Sequence, residues 1–276
     1  MNHKQLVFFL GMVMALASSV TTFAGDLDMF AGEAGNIRIA GGTAHIPVMK
    51  AAAIRIMRHY PAIRISIAGG GSGLGIKQVG EGLVDIGNSG RKPKKEEIAR
   101  YDLRVFKWAV DGVGGVVNPA NPIRDLSQKQ MMAIFAGAIT NWQAVGGKDA
   151  PIHLYTRDES SGTRTVFWKK ALNKGTIADH ANVVVSNGAM KAAVSQDPFA
   201  IGYVSVGYMD DSLASVAFNG IAPTLENIQS GKYTIARGLY SNTKGEPTGL
   251  VKKFIEYLLT AEGQKIVTQH GFVPVK

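Results

Sequence analysis

Short apolar runs recur along the chain and are separated by amphipathic segments with helical spacing. A period of two predicts strands, and a period of 3.6 predicts helices. The predicted strands are residues 36–40, 63–68, 84–87, 105–110, 152–156, 183–185, 201–204 and 233–240. One helix is predicted to start near Pro47, and the others span residues 76–81, 94–100, 127–135, 161–172, 188–195, 250–259 and 261–270. Strands that alternate with helices are typical of a mainly parallel sheet covered on both faces.

The alternation restarts after the turn at Asn118-Pro119, which divides the chain into two α/β units. We therefore predict an α/β fold with two similar lobes, each a mainly parallel sheet flanked by helices, joined by a hinge around a cleft. Residues 25–112 and 224–276 are expected to form lobe 1, and residues 113–223 to form lobe 2. The chain is predicted to pass between the lobes near residues 112–118 and 222–238.

The first 24 residues have the three-part pattern of a secretory signal peptide. Lys4 precedes an apolar run over residues 6–20, and Ala24 supplies the small residue before the expected cleavage point. An N-terminal membrane anchor is the alternative, but this run is shorter than the ~20 residues that span a bilayer. A lipid anchor needs a cysteine at the cleavage point, and the sequence has none. We expect an exported, periplasmic protein that is not lipid-anchored.

The composition is that of a globular protein, with 46% hydrophobic and 18% charged residues. The absence of cysteine excludes disulfides, thiolate metal sites and cysteine nucleophiles. The formal net charge of +9 indicates an anionic partner. Basic residues are dispersed and are not interleaved with aromatic residues, so we expect no nucleic-acid binding. The 33 glycines are unusual and suggest backbone placed close to a ligand or many tight turns.

Glycine and hydroxyl residues cluster in three turns, each between a predicted strand and a helix. The turns are residues 41–44 (GGTA), 69–73 (GGGSG) and 160–163 (SSGT). A helix N-terminus carries unpaired N–H groups and partial positive charge, and glycine lets an anion approach them. Any one of these turns is also what an ordinary helix cap requires. Three such turns across both lobes indicate an oxyanion held at the carboxyl ends of the strands.

Two arginines lie close to these turns. Arg157 precedes Ser161 by four residues and is suited to bidentate contact with a tetrahedral oxyanion. Arg91 follows the third strand and is either a further ligand or an ordinary surface residue. The sequence contains no P-loop, dinucleotide fingerprint, GxSxG elbow or HExxH motif. We therefore predict no catalytic residues, no metal and no cofactor.

The three turns, in this order, resemble those of the periplasmic phosphate-binding proteins that serve ABC importers. Further segments carry the resemblance: residues 111–113 (DGV), 134–137 (IFAG) and 201–204 (IGYV). It covers nearly the whole chain after residue 24 and implies two lobes that close over one desolvated phosphate. The phosphate-binding residues implied are Thr43, Ala44, Ser72, Gly73, Ser89, Arg91, Arg157, Ser161, Gly162 and Thr163.

One position departs from part of that family, in which an Asp accepts the proton of bound phosphate. Counting from Ser72 without gaps places Gly90 there, and the sequence at 89–91 is closer to a Ser-Ser-Arg-like branch. Asp111 and Asp85 remain as candidate proton acceptors, and Asp111 is the one we retain.

The resemblance implies a monomer that captures inorganic phosphate and delivers it to a membrane ABC permease. A binding protein for sulfate or molybdate, and an exported phosphatase, are the alternatives.

Overall fold

A computed structural model describes residues 25–275, and the predicted signal peptide lies outside the described residues. The strands are β1 (Gly35–Gly41), β2 (Ile63–Gly70), β3 (Ile86–Ser89), β4 (Leu103–Val117), β5 (Asp125–Leu126), β6 (His153–Arg157), β7 (Asn182–Val184), β8 (Ala200–Ser205), β9 (Ala214–Phe218), β10 (Ala236–Lys244) and β11 (Val273–Pro274). The helices are α1 (Ile46–His59), α2 (Gly71–Gly80), α3 (Lys95–Tyr101), α4 (Gln128–Phe135), α5 (Gly162–Lys170), α6 (Asn187–Gln196), α7 (Leu225–Gln229), α8 (Gly249–Leu258) and α9 (Ala261–Gln269).

The main strands follow one path, in the order β2-β1-β3-β10-β4-β8-β6-β7. The pairs at both flanks are parallel: β1 pairs with β2 and β3, and β6 pairs with β7 and β8. The pairs in the middle, which involve β10, β4 and β8, are antiparallel. Each flank therefore carries parallel strands whose carboxyl ends lead into helices.

Strand β4 connects the two halves of this path. Its residues 103–112 pair with β10, whereas residues 113–117 pair with β8 and residues 115–117 also pair with β9. The second segment, which contains Gly114 and Gly115, is fully buried. A Cβ on Gly115 would come within 3.1 Å of the Met131 Cε, so close packing favours glycine there.

Apolar periodicity explains the flanking layers. In β1, Ile37 and Ile39 are buried while Arg38 between them is exposed. Helix α1 has proline in its first turn and buries Val48, Ala52 and Ile56 on the face toward the sheet.

An aromatic cluster is formed by side chains of α4, α5 and β8. The rings of Phe167 and Tyr203 stack with centroids 4.3 Å apart, and Phe135 packs against both. Fully burying an aromatic or large aliphatic side chain stabilises a fold by about 1.5–3 kcal/mol. The Tyr203 hydroxyl also accepts a hydrogen bond from the Arg157 backbone N–H at 3.0 Å, which anchors the end of β6.

The predicted α/β class is confirmed. Strand β4 is longer than predicted, because residues 113–117, expected to connect the lobes, continue the strand. Strands β5, β9 and β11 were not predicted. The antiparallel centre was also not predicted, because β10 comes late in the chain and inserts between β3 and β4. Between residues 25 and 275, none of the helices combines the length and apolarity needed to cross a bilayer.

Candidate anion-binding site

Three strand ends, and the helical turns that follow them, meet at one small pocket. Strand β1 leads into a short 3-10 turn at Thr43–His45, β2 leads into α2, and β6 is followed by α5. The pocket is lined by Gly42, Thr43, Ala44, Gly71, Ser72, Gly90, Arg157, Ser161, Gly162, Thr163 and Arg237. Its empty space is about 180 Å³, part of which is open to solvent. A pocket of this size suits a small ligand.

The glycine-rich turn after β2 brings the two halves of the molecule together. Gly70 and Gly71 have φ values of 125° and 87°, which side chains with a Cβ rarely adopt. The Ser160 hydroxyl donates to the Gly70 carbonyl at 3.0 Å, and the Gly73 N–H donates to the Ser160 carbonyl at 3.0 Å. The first turns of α2 and α5 therefore face each other across the pocket.

Arg157 is the most deeply buried cation in the lining, with 2% of its surface exposed. Its Nε donates to the Val184 carbonyl and its Nη2 to the Val185 carbonyl, both at 3.0 Å. Its Nη1 is buried without a hydrogen-bond partner in the described part of the chain. Burial lowers the pKa of this guanidinium, because the charged form loses water. The pocket thus holds a fixed cation with one unused donor.

Arg237 is a lining residue that the sequence analysis missed. Its Nε donates to Asp111 Oδ2 at 2.8 Å, its Nη1 to the Gly90 carbonyl at 3.3 Å and its Nη2 to Thr163 Oγ1 at 3.0 Å. The sequence did contain a signal for Arg237, because it is a charged residue inside the predicted apolar strand at 233–240. A charged residue is buried only when it is paired, so its position indicated a buried partner. Its partner Asp111 lies in another apolar strand, β4.

Asp111, the predicted proton acceptor, lies behind Arg237 rather than in the pocket lining. Its Oδ1 accepts from the Ser205 hydroxyl at 2.9 Å and the Val206 N–H at 3.3 Å, and both contacts of its Oδ2 are with Arg237. Burial raises the pKa of this carboxyl, and the charge of Arg237 acts in the opposite direction. The geometry gives Asp111 the task of holding Arg237 in place.

The absence of a side chain at Gly90 has a structural reason. A Cβ at this position would lie 2.7 Å from Nη1 and 2.9 Å from Cζ of Arg237. The guanidinium therefore occupies the space that a carboxylate side chain at position 90 needs. The Gly90 backbone contributes instead, because its N–H donates to Ser72 Oγ at 2.9 Å.

The remaining predicted residues divide into two groups. Thr43, Ala44, Ser72, Ser161, Gly162 and Thr163 line the pocket together with Arg157. Gly73, Ser89 and Arg91 do not belong to the lining. Ser89 is buried and its Oγ accepts from Asn242 Nδ2 at 2.9 Å. The Arg91 guanidinium makes two hydrogen bonds of 2.7 Å to the Glu97 carboxylate, which turn it away from the pocket.

His45 follows the first turn and is also outside the lining. It is fully buried, its Nδ1 contacts the Gly42 carbonyl at 3.0 Å, and its ring packs edge-on against Trp108. Burial lowers its pKa to about 3, so the ring is neutral at physiological pH. Within residues 25–275, no cluster of three or more His, Cys, Asp or Glu is placed to hold a metal ion.

Replacing Gly162 with alanine is expected to weaken anion binding. A Cβ on Gly162 would overlap Ser72 Oγ and lie 3.3 Å from the Gly90 carbonyl carbon, whereas alanine suits the first turn of α5. Affinity, measured by calorimetry, should fall by at least about tenfold, a loss of about 1.4 kcal/mol. The matched control is Gly188→Ala in the first turn of α6, where the nearest atom would be 3.8 Å away. Equal affinities for the two variants would contradict this close contact.

A pocket closed by strand-end turns from two lobes defines the class of two-lobed solute-binding proteins. Residues 30–262 match the family model described as PBP superfamily domain. The phosphate-binding protein PstS of Bacillus subtilis (strain 168) is 40% identical to this chain over 244 residues, which cover 87% of this chain and 81% of that protein. The PstS of Borreliella burgdorferi is 30% identical over 253 residues, or 87% of this chain and 90% of its own length.

Solved structures agree with these sequence relatives. A candidate phosphate ABC transporter substrate-binding protein from Clostridium perfringens, with bound phosphate, superposes with a TM-score of 0.82 at 34% identity, covering 88% of this chain and all of that one. An ABC-type phosphate transport receptor from Vibrio cholerae gives a TM-score of 0.69 at 32% identity, and the match covers 86% of this chain and 99% of that one. The chain belongs to the PstS family of phosphate-binding proteins within the PBP superfamily.

Proposed function

We propose that this protein captures inorganic phosphate in the pocket and delivers it to a membrane ABC permease. The observation that carries the proposal is the unpartnered Nη1 of Arg157, a buried cationic donor in the pocket lining. Leaving such a group unpaired is costly, and an oxyanion supplies both the acceptor and the opposite charge. The relatives named as phosphate-binding proteins, and the C. perfringens structure with bound phosphate, support the same ligand.

The donor set that we propose differs from the sequence-based set at four residues. It contains Thr43, Ala44, Ser72, Arg157, Ser161, Gly162 and Thr163, with Arg237 as an addition. Gly73, Ser89 and Arg91 are left out, because none of them lines the pocket. The neutral dipoles of the two helix starts and two guanidinium groups then share the charge of the anion.

We propose that binding is coupled to closure of two lobes, residues 25–112 with 224–276 and residues 113–223. Contacts between these segments surround the pocket: the Tyr208 hydroxyl donates to the Thr43 carbonyl at 2.7 Å, and Asn187 Nδ2 donates to Thr43 Oγ1 at 3.0 Å. In an open form phosphate meets one set of donors, and closure adds the other. The segments near residues 112–118 and 222–238 act as the hinge.

We further propose that the protein acts outside the cytoplasm as a monomer, after cleavage behind Ala24 and without a lipid anchor. The signal-like pattern of residues 1–24 supports export. Capture and release of phosphate require no catalytic residue, cofactor or nucleic acid. The expected result of a phosphatase assay, with and without divalent metal, is therefore no turnover.

Titration of residues 25–276 with phosphate, sulfate and molybdate by calorimetry tests the proposal. Saturable binding is expected for phosphate, and phosphate at 100 times its Kd should stabilise the fold by about 2.7 kcal/mol. Small-angle scattering should show compaction on addition of phosphate. The titrations with sulfate and molybdate test the alternative ligands. No heat with phosphate, together with saturable binding of another oxyanion, would refute the phosphate assignment.

A further inference from the structure

We propose that the pocket discriminates between the protonation states of phosphate, binding the dianion in preference to the monoanion. This inference rests on the proposed function, because it concerns the form of phosphate that the same pocket holds. It arises from the directions of the hydrogen bonds at the four hydroxyl groups of the lining: Thr43, Ser72, Ser161 and Thr163.

The two threonine hydroxyls already have both acceptor positions filled by protein donors. Thr43 Oγ1 accepts from the Asn187 backbone N–H at 3.2 Å and from Asn187 Nδ2 at 3.0 Å. Thr163 Oγ1 accepts from Arg237 Nη2 at 3.0 Å and from Asn187 Nδ2 at 3.5 Å. A hydroxyl has two lone pairs and one proton. Each threonine can therefore only donate to a ligand.

The two serine hydroxyls each accept one hydrogen bond from a backbone N–H. Ser72 Oγ accepts from Gly90 at 2.9 Å, and Ser161 Oγ accepts from Arg164 at 3.1 Å. One lone pair is left on each serine oxygen. If that lone pair accepts a hydrogen bond from a protonated ligand oxygen, the serine hydroxyl no longer donates to that ligand oxygen. The serine proton then loses a charged acceptor. Each ligand proton thus replaces a strong charge-assisted bond with a weaker one.

The other lining groups add donors rather than strong acceptors. Arg157 and Arg237 have no acceptor atoms, and the first N–H groups of α2 and α5 are donors. No residue of the lining carries a carboxylate, and Asp111 directs both of its oxygens to Arg237, Ser205 and Val206. The phosphate dianion brings one proton into this pocket, and the monoanion brings two. The first proton can donate to one of the two serine oxygens. The second proton then either faces another donor or uses the other serine oxygen as its acceptor.

Titratable protein groups also lie near the pocket. The charged groups are Arg157, Arg237 and Asp111, with Asp158 at 3.7 Å from Arg157 Nη2. The pKa of His45 is lowered to about 3 by burial, and burial raises the pKa values of Tyr203 and Tyr208 to about 12. Release of a proton on phosphate binding then reports on the ligand, because a bound anion favours the protonated form of nearby protein groups.

Asn187 is the positioning residue in this arrangement. It is fully buried at the start of α6, and its Oδ1 accepts from the Ser205 N–H at 3.0 Å, which fixes the direction of its Nδ2. Asn187→Asp keeps the shape and replaces this donor by a carboxylate oxygen. The two threonines would then donate to residue 187 and turn their lone pairs toward the pocket.

The test is calorimetry of residues 25–276 with inorganic phosphate, one pH unit below and one above the pKa at which free phosphate loses its second proton. Each titration is run in two buffers with different enthalpies of ionisation. If only the dianion binds, apparent affinity is about tenfold weaker at the lower pH, following the dianion fraction. About one proton is then released per phosphate at the lower pH and almost none at the higher pH. Proton uptake at the higher pH, or equal affinities at both, would overturn the inference.

Asn187→Asp should bind phosphate at least about tenfold more weakly at the higher pH, with a smaller difference between the two pH values. Asn36→Asp is the matched control, since it adds the same charge at the exposed start of β1. It should retain the wild-type affinities and proton release. If Asn187→Asp fails to fold, the wild-type proton count still decides the question. A complete absence of phosphate binding by the wild-type protein would refute the proposed function instead.

Discussion

Replacing Arg157 with alanine is expected to weaken phosphate binding by about 30- to 100-fold. Hydrogen bonds to charged groups contribute about 1.5–3 kcal/mol each, and every 1.4 kcal/mol is a tenfold change in affinity. The substitution removes the unpaired Nη1 donor and its charge from the pocket. Calorimetric titration with phosphate measures the loss.

Arg157→Lys separates charge from geometry. A lysine ammonium cannot reach the carbonyls of Val184 and Val185 while also facing the pocket, so we expect it to recover only part of the affinity. Arg91→Ala is the matched control, because the sequence places both arginines after strands and only Arg157 lines the pocket. Its affinity should stay within about twofold of wild type, or 0.4 kcal/mol. A large loss at Arg91 and none at Arg157 would overturn the proposed donor set.

Replacing Asp111 with asparagine is expected to lower the free energy of unfolding by about 3–5 kcal/mol, because it leaves a buried charge on Arg237 unpaired. Both partners are buried, with 0% of the Asp111 side chain and 4% of the Arg237 side chain exposed. The remaining acceptors of Arg237 are neutral: the Gly90 carbonyl and Thr163 Oγ1. Thermal unfolding without phosphate should show a Tm lower by roughly 10 °C, because 1 kcal/mol shifts Tm by about 2–4 °C in chains of this size.

Asp85→Asn is the control for this substitution. Asp85 pairs with Arg38, whose side chain is 52% exposed, and exposed pairs contribute at most about 1 kcal/mol. A Tm change at Asp111 no larger than that at Asp85 would mean that Arg237 does not depend on its partner. Addition of phosphate should recover part of the stability of Asp111→Asn, since the anion supplies negative charge to Arg237.

The contrast between Arg91 and Arg157 illustrates why residue type near a turn is an incomplete guide. Arg91 lies two residues after β3, and Arg157 is the last residue of β6. Glu97, six residues after Arg91, captures that guanidinium in the first turn of α3. Arg157 has only carbonyl partners and a more distant Asp158, which leaves one donor free. The outcome depended on which acceptor lay within reach of each side chain.

The sequence by itself determined the features that depend on neighbouring residues. Hydrophobic periodicity specified most strands and helices, and glycine with Ser or Thr marked the turns at Thr43, Ser72 and Ser161. These features were predictable because helix starts and left-handed glycines follow local backbone chemistry.

Only the tertiary structure decided which charges and hydroxyls act together. Asp111 and Arg237 are 126 positions apart, and Asn187 reaches Thr43 across 144 positions. Partners so distant are specified by the packing of strands and helices, and no local pattern records it. The same packing leaves Gly90 without space for a side chain and turns the threonine hydroxyls into donors, because Asn187 and Arg237 fill their acceptor positions.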